Sequence, residues 1–124
     1  MPQICMRQDF RAPSFGPAST REIYAAALEQ YAWADRNGFD LLVLSEHHGI
    51  DDGWQPAPLT IAAMLLGMTE RARVMVSAVI LPLHDPVRIA EQIADGIDEV
   101  RLALVGPTDQ GDELLSAIES TAEA

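Results

Sequence analysis

The sequence predicts an α/β fold built on a parallel sheet. Three observations predict it. Short apolar runs alternate with longer segments of helical period four times in 124 residues, about one unit per 31. The runs are continuous rather than alternating, which suits parallel strands covered on both faces. Capping residues, prolines and glycines fall between the runs, where helices should start and stop.

The elements follow in order. "QICMRQDF" (3–10) is a short strand, and "RAPSFGPAS" is a Pro/Gly/Ser loop. "STREIYAAALEQYAWADRNG" is a helix. Ser19 and Glu22 have capping-box spacing. Ile23, Ala27, Leu28, Tyr31 and Ala34 form its apolar stripe, and Asn37-Gly38 stops it. "FDLLVLSEH" is the second strand. "PLTIAAMLLGMTERAR" (58–73) is the second helix, with Pro58 in its first turn. "VMVSAVILPL" (74–83) is the third strand. "HDPVRIAEQIADG" starts a third helix, with Asp85 as cap and Pro86 at the first helical position. "DEVRLALVGP" (98–107) is a fourth strand, and "TDQGDELLSAIESTAEA" a closing helix with an acidic first turn.

Four such units amount to half of a (β/α)8 barrel, TIM-type, folded as a single α/β domain over residues 1–124. A small doubly wound sandwich is the other arrangement the pattern allows. At 48% hydrophobic residues the chain can bury a sizeable core.

Charge and cysteine content narrow the function classes. The net charge is −11 and there is no lysine. Such a surface repels phosphate backbones and anionic lipid, so nucleic-acid and membrane-surface partners are not expected. The single Cys5 excludes an internal disulfide and suits a reducing compartment. The N-terminus shows no apolar h-region, so the expected location is cytoplasmic.

In α/β folds chemistry gathers at the carboxyl ends of parallel strands. His47 and His48 end the second strand, His84 follows the third, and Asp9 ends the first. All three histidines of the chain therefore fall on one rim. Imidazole exchanges protons near neutrality, so a histidine there can donate, accept or bond a ligand. Successive strand residues face opposite ways. His47 is therefore read as the functional member of the pair, and His48 as structural, packed beneath the loop. The spacing matches no closed metal-ligand pattern. Trp54 is more simply a loop anchor than a stacking platform, and Glu46 a carboxylate accepting backbone N–H groups or an arginine. "VGPTDQG" opens a helix where an anion could sit, but Asp109, Asp112 and Glu113 argue against phosphate. No GxGxxG, GKS/T, CxxC or GxSxG is present.

Three ordered segments, "ALEQYAWADRNGFDLLVLSEHH", "DGWQPAPLTIAAMLLGMTERARV" and "VILPLHDPVRIAEQIA", resemble the bacterial luciferase-like monooxygenases. Residues 1–94 resemble the N-terminal part of that family, and 96–124 its closing strand and helix. The resemblance implies a (β/α)8 barrel. It also implies FMN or the deazaflavin F420 as cofactor, and a small organic molecule as substrate. By the same resemblance His47 is the active-site histidine beside the flavin. Ser77-Ala78 falls where several members have a non-proline cis peptide under the ring. Asp9 and His84 fall on the cofactor side of the rim. Near Asp95-Gly96 the chain passes directly to what resembles the terminal unit, as in an internally shortened member.

In a closed barrel the last strand lies beside the first. The expected sheet order is therefore 4-1-2-3, with raw edges on the third and fourth strands. Such edges invite pairing with another chain, so a homodimer or larger assembly that completes the barrel is expected. The expected function is a flavin-dependent monooxygenase or oxidoreductase. The alternative is a binding or self-assembling scaffold without turnover.

Overall fold

A computed structural model of the chain describes residues 2–94, 99–103 and 116. Strands and helices alternate along it: β1 (Cys5–Arg7), α1 (Thr20–Arg36), β2 (Leu41–Leu44), α2 (Pro58–Leu66), β3 (Arg73–Ile80), α3 (Pro86–Ala94) and β4 (Glu99–Ala103). All strand pairs are parallel. The closing helix expected over 108–124 lies outside the described residues, apart from Ser116, which is helical.

The strand order is β1-β2-β3-β4, which corrects the expected 4-1-2-3. β4 pairs with β3, so among the described residues the outer strands of the sheet are β1 and β4. The expectation borrowed its neighbours from a closed barrel, where intervening strands carry the chain round to β1. Here α3 leads straight into β4, and a single crossover sets the new strand beside the one it left.

Local chemistry explains where the elements begin and end. Ser19 caps α1 as expected: its Oγ accepts from the Glu22 amide, and the Glu22 carboxylate accepts from the Ser19 amide. Gly38, at φ 82°, supplies the left-handed residue that turns the chain out of α1. α2 stops at Leu66, seven residues short of the expected Arg73. Two bonds close its last turn, from the Thr69 amide and the Thr69 hydroxyl to the Leu65 carbonyl. Beyond that, the buried carboxylate of Asp35 takes the amides of Glu70, Arg71 and Ala72, at 3.0, 2.9 and 2.7 Å. Those three amides are lost to a helix, and the chain leaves extended into β3. β3 ends at Ile80 because Pro82 lies in a 3-10 turn over Leu81–Leu83. Asp85 then caps α3 through the Arg88 amide, as expected. β1 is shorter than expected, ending at Arg7, so Asp9 sits in the following loop.

The two faces of the sheet differ. Leu42, Leu44, Val74 and Val76 pack with Ala27 and Tyr31 of α1, Leu65 of α2 and Ile89 of α3 in one buried cluster. Burying each large side chain contributes ~1.5–3 kcal/mol. On the opposite face Leu41, Val43 and Met75 form a separate small cluster. The Tyr31 hydroxyl is a polar group inside the main core. It donates to the Val43 carbonyl at 2.7 Å and accepts from the Gln8 amide, and burial pushes its pKa up to about 12.

Candidate functional site

The strand registers align one row of residues just beyond the carboxyl ends. Arg7 pairs with Val43 and Leu44 with Val76. Extending those registers by one or two residues sets Asp9, Ser45 and Ser77 at one level. Above them stand Glu46, His47 and His48, which continue β2. The Ser77-Ala78 peptide bond is cis, at the non-proline position the resemblance implied. The β3–β4 register shifts at the same place, between Ser77 and Val79.

Glu46 is the centre of the rim. Its side chain has no exposed surface. Oε2 accepts from the Ile80 amide at 2.7 Å, which ties the start of this loop to the end of β3. Oε1 takes two imidazoles at once, His48 Nε2 at 2.6 Å and His84 Nε2 at 2.8 Å. Burial alone would raise the Glu46 pKa. The His48 contact, the Ile80 N–H and the His84 contact together outweigh it and hold the carboxyl below the usual range.

His47 faces a different group. Its ring stacks on Trp54, with centroids 3.5 Å apart and planes at 23°. Its amide donates to the Gln55 carbonyl at 3.1 Å, so two points of the same loop fix it. The Arg11 guanidinium lies 4.9 Å from the Trp54 ring centre. Arg11 is ion-paired with Asp9, and that contact, chiefly the side-chain hydrogen bond, holds the Asp9 carboxyl below its ordinary value. Trp54 Nε1 and both amide atoms of Gln55 are buried without a hydrogen-bond partner among the described residues. The loop after β2 is held by two bonds, one from the Ala12 N–H of the loop after β1 to the Asp52 carbonyl and one from the Tyr24 O–H of α1 to the Gly53 carbonyl. Between those loops opens a cleft of about 620 Å³, bordered by Asp9, Arg11, Phe15, Ile50 and Asp52. A smaller cleft of about 210 Å³ lies between the starts of α2 and α3, bordered by His84, Arg88 and Thr60.

The three histidines thus meet in two groups. His48 and His84 share Glu46, whereas His47 joins Trp54, near Arg11 and Asp9. The different directions of the His47 and His48 side chains follow the expected alternation. The packing expected for His48 does not: its side chain is 39% exposed and bonded to Glu46, not buried under the loop. Sequence reasoning undervalued Glu46. The available signal was its i, i+2 spacing to His48, which puts both side chains on one side of an extended chain. Nothing in the sequence announced that His84 would reach the same oxygen from beyond the 3-10 turn that follows β3, 38 residues away.

A rim of this composition on a parallel α/β sheet fits the comparisons with known proteins. The sequence profile of the luciferase-like monooxygenases matches residues 10–99. This chain belongs to that family. It is 36% identical over 87 residues to the alkanal monooxygenase beta chain of Vibrio harveyi, covering 68% of this chain and 27% of that one. It is 41% identical over 56 residues to an alkanal monooxygenase alpha chain of Photorhabdus luminescens, covering 45% and 16%. The chain therefore spans about a quarter or less of these relatives. A monooxygenase from Streptomyces bottropensis has a similar fold at 20% identity and TM-score 0.73, over 98% of this chain and 41% of that one. So does the oxygenating constituent of 3,6-diketocamphane monooxygenase from Pseudomonas putida, solved with FMN, at 16% identity and TM-score 0.66 over 97% and 38%. Among the described residues, no helix is long and apolar enough to cross a membrane.

Proposed function

We propose that the chain works as a flavin-dependent monooxygenase or oxidoreductase on a small organic substrate. In this reading His47 lies beside the cofactor, and Asp9, Ser77, Ala78 and His84 line the cofactor side. The observation that carries it is the convergence of His47, the Ser77-Ala78 cis peptide and His84 at the carboxyl end of one parallel sheet, in a member of this family. The residues present fit a flat, polar-edged ring. Ser77 and Ala78 are partly exposed, the His47–Trp54 stack offers a planar aromatic wall, and Trp54 Nε1 and Gln55 offer polar atoms that the described chain does not satisfy.

A bound flavin, FMN or F420, supplies the redox chemistry, and the protein supplies position. His47 donates or accepts a proton at the reacting edge. Its stack on Trp54 and its amide bond to Gln55 fix its orientation before any ligand arrives. The Asp9–Arg11 pair holds the loop after β1 against Trp54. Assembly as a homodimer or larger belongs to the same reading, because β1 and β4 are the outer strands of the sheet among the described residues and a second copy can pair with them. A cytoplasmic setting suits the exposed, unpaired Cys5.

Titration of the purified chain with FMN and with F420, followed by fluorescence quenching, tests the reading. Saturable quenching by one of them is expected. Replacing His47 with Ala should then lower flavin-linked turnover by ~10²-fold or more, the range of a general acid or base. Absence of quenching with both cofactors would leave the scaffold without turnover. Light scattering at micromolar concentration tests the assembly: a mass near the 13.5 kDa of one chain would refute it.

A further inference from the structure

The Glu46 cluster fixes where protons sit on two rings. An ionised carboxylate only accepts hydrogen bonds. Glu46 is ionised at neutral pH, since its pKa lies below the ordinary carboxylate value. Its Oε1 meets both His48 Nε2 and His84 Nε2 within 2.8 Å. Both nitrogens must therefore carry hydrogen. Its Oε2 is committed to the Ile80 amide, so the carboxylate cannot swing away from either ring. Neither Nδ1 has a hydrogen-bond partner among the described residues.

We infer that Glu46 is a positioning residue that locks His48 and His84 together in the Nε2–H form, so that the rim presents two Nδ1 lone pairs. A ligand that reaches either ring must bring a hydrogen-bond donor, such as a hydroxyl or an N–H. His84 borders the 210 Å³ cleft between the starts of α2 and α3, where such a donor would meet it. The inference rests on the proposed reading only in treating this rim as the site. Its test uses the ligand-free protein and so stands apart from whether flavin binds.

The test is the substitution Glu46→Gln, read by long-range 15N–1H NMR of the imidazoles at a pH where both rings are neutral. The amide oxygen should take the place of Oε2, because only an acceptor can face the Ile80 N–H. The amide NH2 then occupies the place of Oε1 and points its two hydrogens at the two Nε2 atoms. Both rings should respond by moving their proton to Nδ1. The expected result is Nε2–H on His48 and His84 in the wild type and Nδ1–H on both in the variant. His47, which does not touch Glu46, should not change. His48→Ala and His84→Ala assign the signals, and the ring left in each should stay Nε2–H. A tautomer that stays Nε2–H in Glu46→Gln would overturn the inference, since a merely space-filling Glu46 predicts that outcome. Should that variant fail to fold, the wild-type spectrum decides alone: Nδ1–H on either ring there refutes the lock.

Discussion

Replacing Asp35 with alanine is expected to cost the fold ~3–4 kcal/mol. The carboxylate sits in the last turn of α1 and holds the turn that launches β3, the strand carrying Ser77-Ala78. Its three bonds are not equal. Oδ1 takes the Arg71 and Ala72 amides and Oδ2 the Glu70 amide. Ala72 is 7% exposed, so its N–H would be left buried and unpaired, at ~2 kcal/mol. Glu70 and Arg71 are exposed and water can replace their partner, which leaves ~0.5–1 kcal/mol each. Asparagine should cost less, ~1–2 kcal/mol. Its carbonyl can keep the Arg71 and Ala72 amides while its NH2 displaces only the exposed Glu70 amide. Urea unfolding followed by circular dichroism reads both. With a slope of ~1.5 kcal/mol per molar, the alanine midpoint should fall by ~2 M and the asparagine midpoint by ~1 M. An alanine change below ~1 kcal/mol, or an asparagine change as large as that of alanine, would refute this division of the three bonds.

Acid should expose Asp35 and Glu46 together. Both are held below their ordinary carboxylate values, 3.8 and 4.5. Their contribution is therefore present above about pH 4.5 and is lost as pH falls through the lower folded-state values. Unfolding midpoints measured from neutral to acid pH should show a fall that is shallower in Asp35→Asn. Tyr31→Phe should cost ~1–2 kcal/mol in the same urea assay, through the Val43 and Gln8 bonds. The Tyr31 pKa is raised, so its contribution is present below pH 10 and lost as pH climbs towards 12. Absorbance titration should accordingly show one phenol ionising near 12 in the wild type and absent in the variant.

Most of the fold was legible because its signals are local. The Ser19–Glu22 box, the Asn37-Gly38 stop, Pro58 and Asp85-Pro86 each act within one turn of chain, and each does what its chemistry implies. The early end of α2 was not legible, because Asp35 imposes it from 35 residues away. Strand order failed for a related reason: it depends on which edge is free when β4 arrives, and no residue of β4 encodes that. The site divides along the same line. The rim position of His47, His48 and His84 followed from strand ends. The pairing of His48 with His84 through Glu46 required two strands to be brought into register. The Ser77-Ala78 cis peptide came from family resemblance alone, since no local propensity signals it.

The bonds from Ala12 to Asp52 and from Tyr24 to Gly53 bear on how this rim can vary. Loops around an active end are usually free to lengthen independently, which lets a scaffold change its substrate one insertion at a time. Here the loop after β2 is sewn both to the loop after β1 and to α1, and a side chain at Gly53, already at φ 72°, would press on Thr20 at 3.1 Å. Extra residues in either loop would have to pull out these stitches before they could reshape the cleft. Diversification at this corner should therefore proceed by exchanging side chains at Phe15 and Ile50, which are exposed and carry no part of the seam.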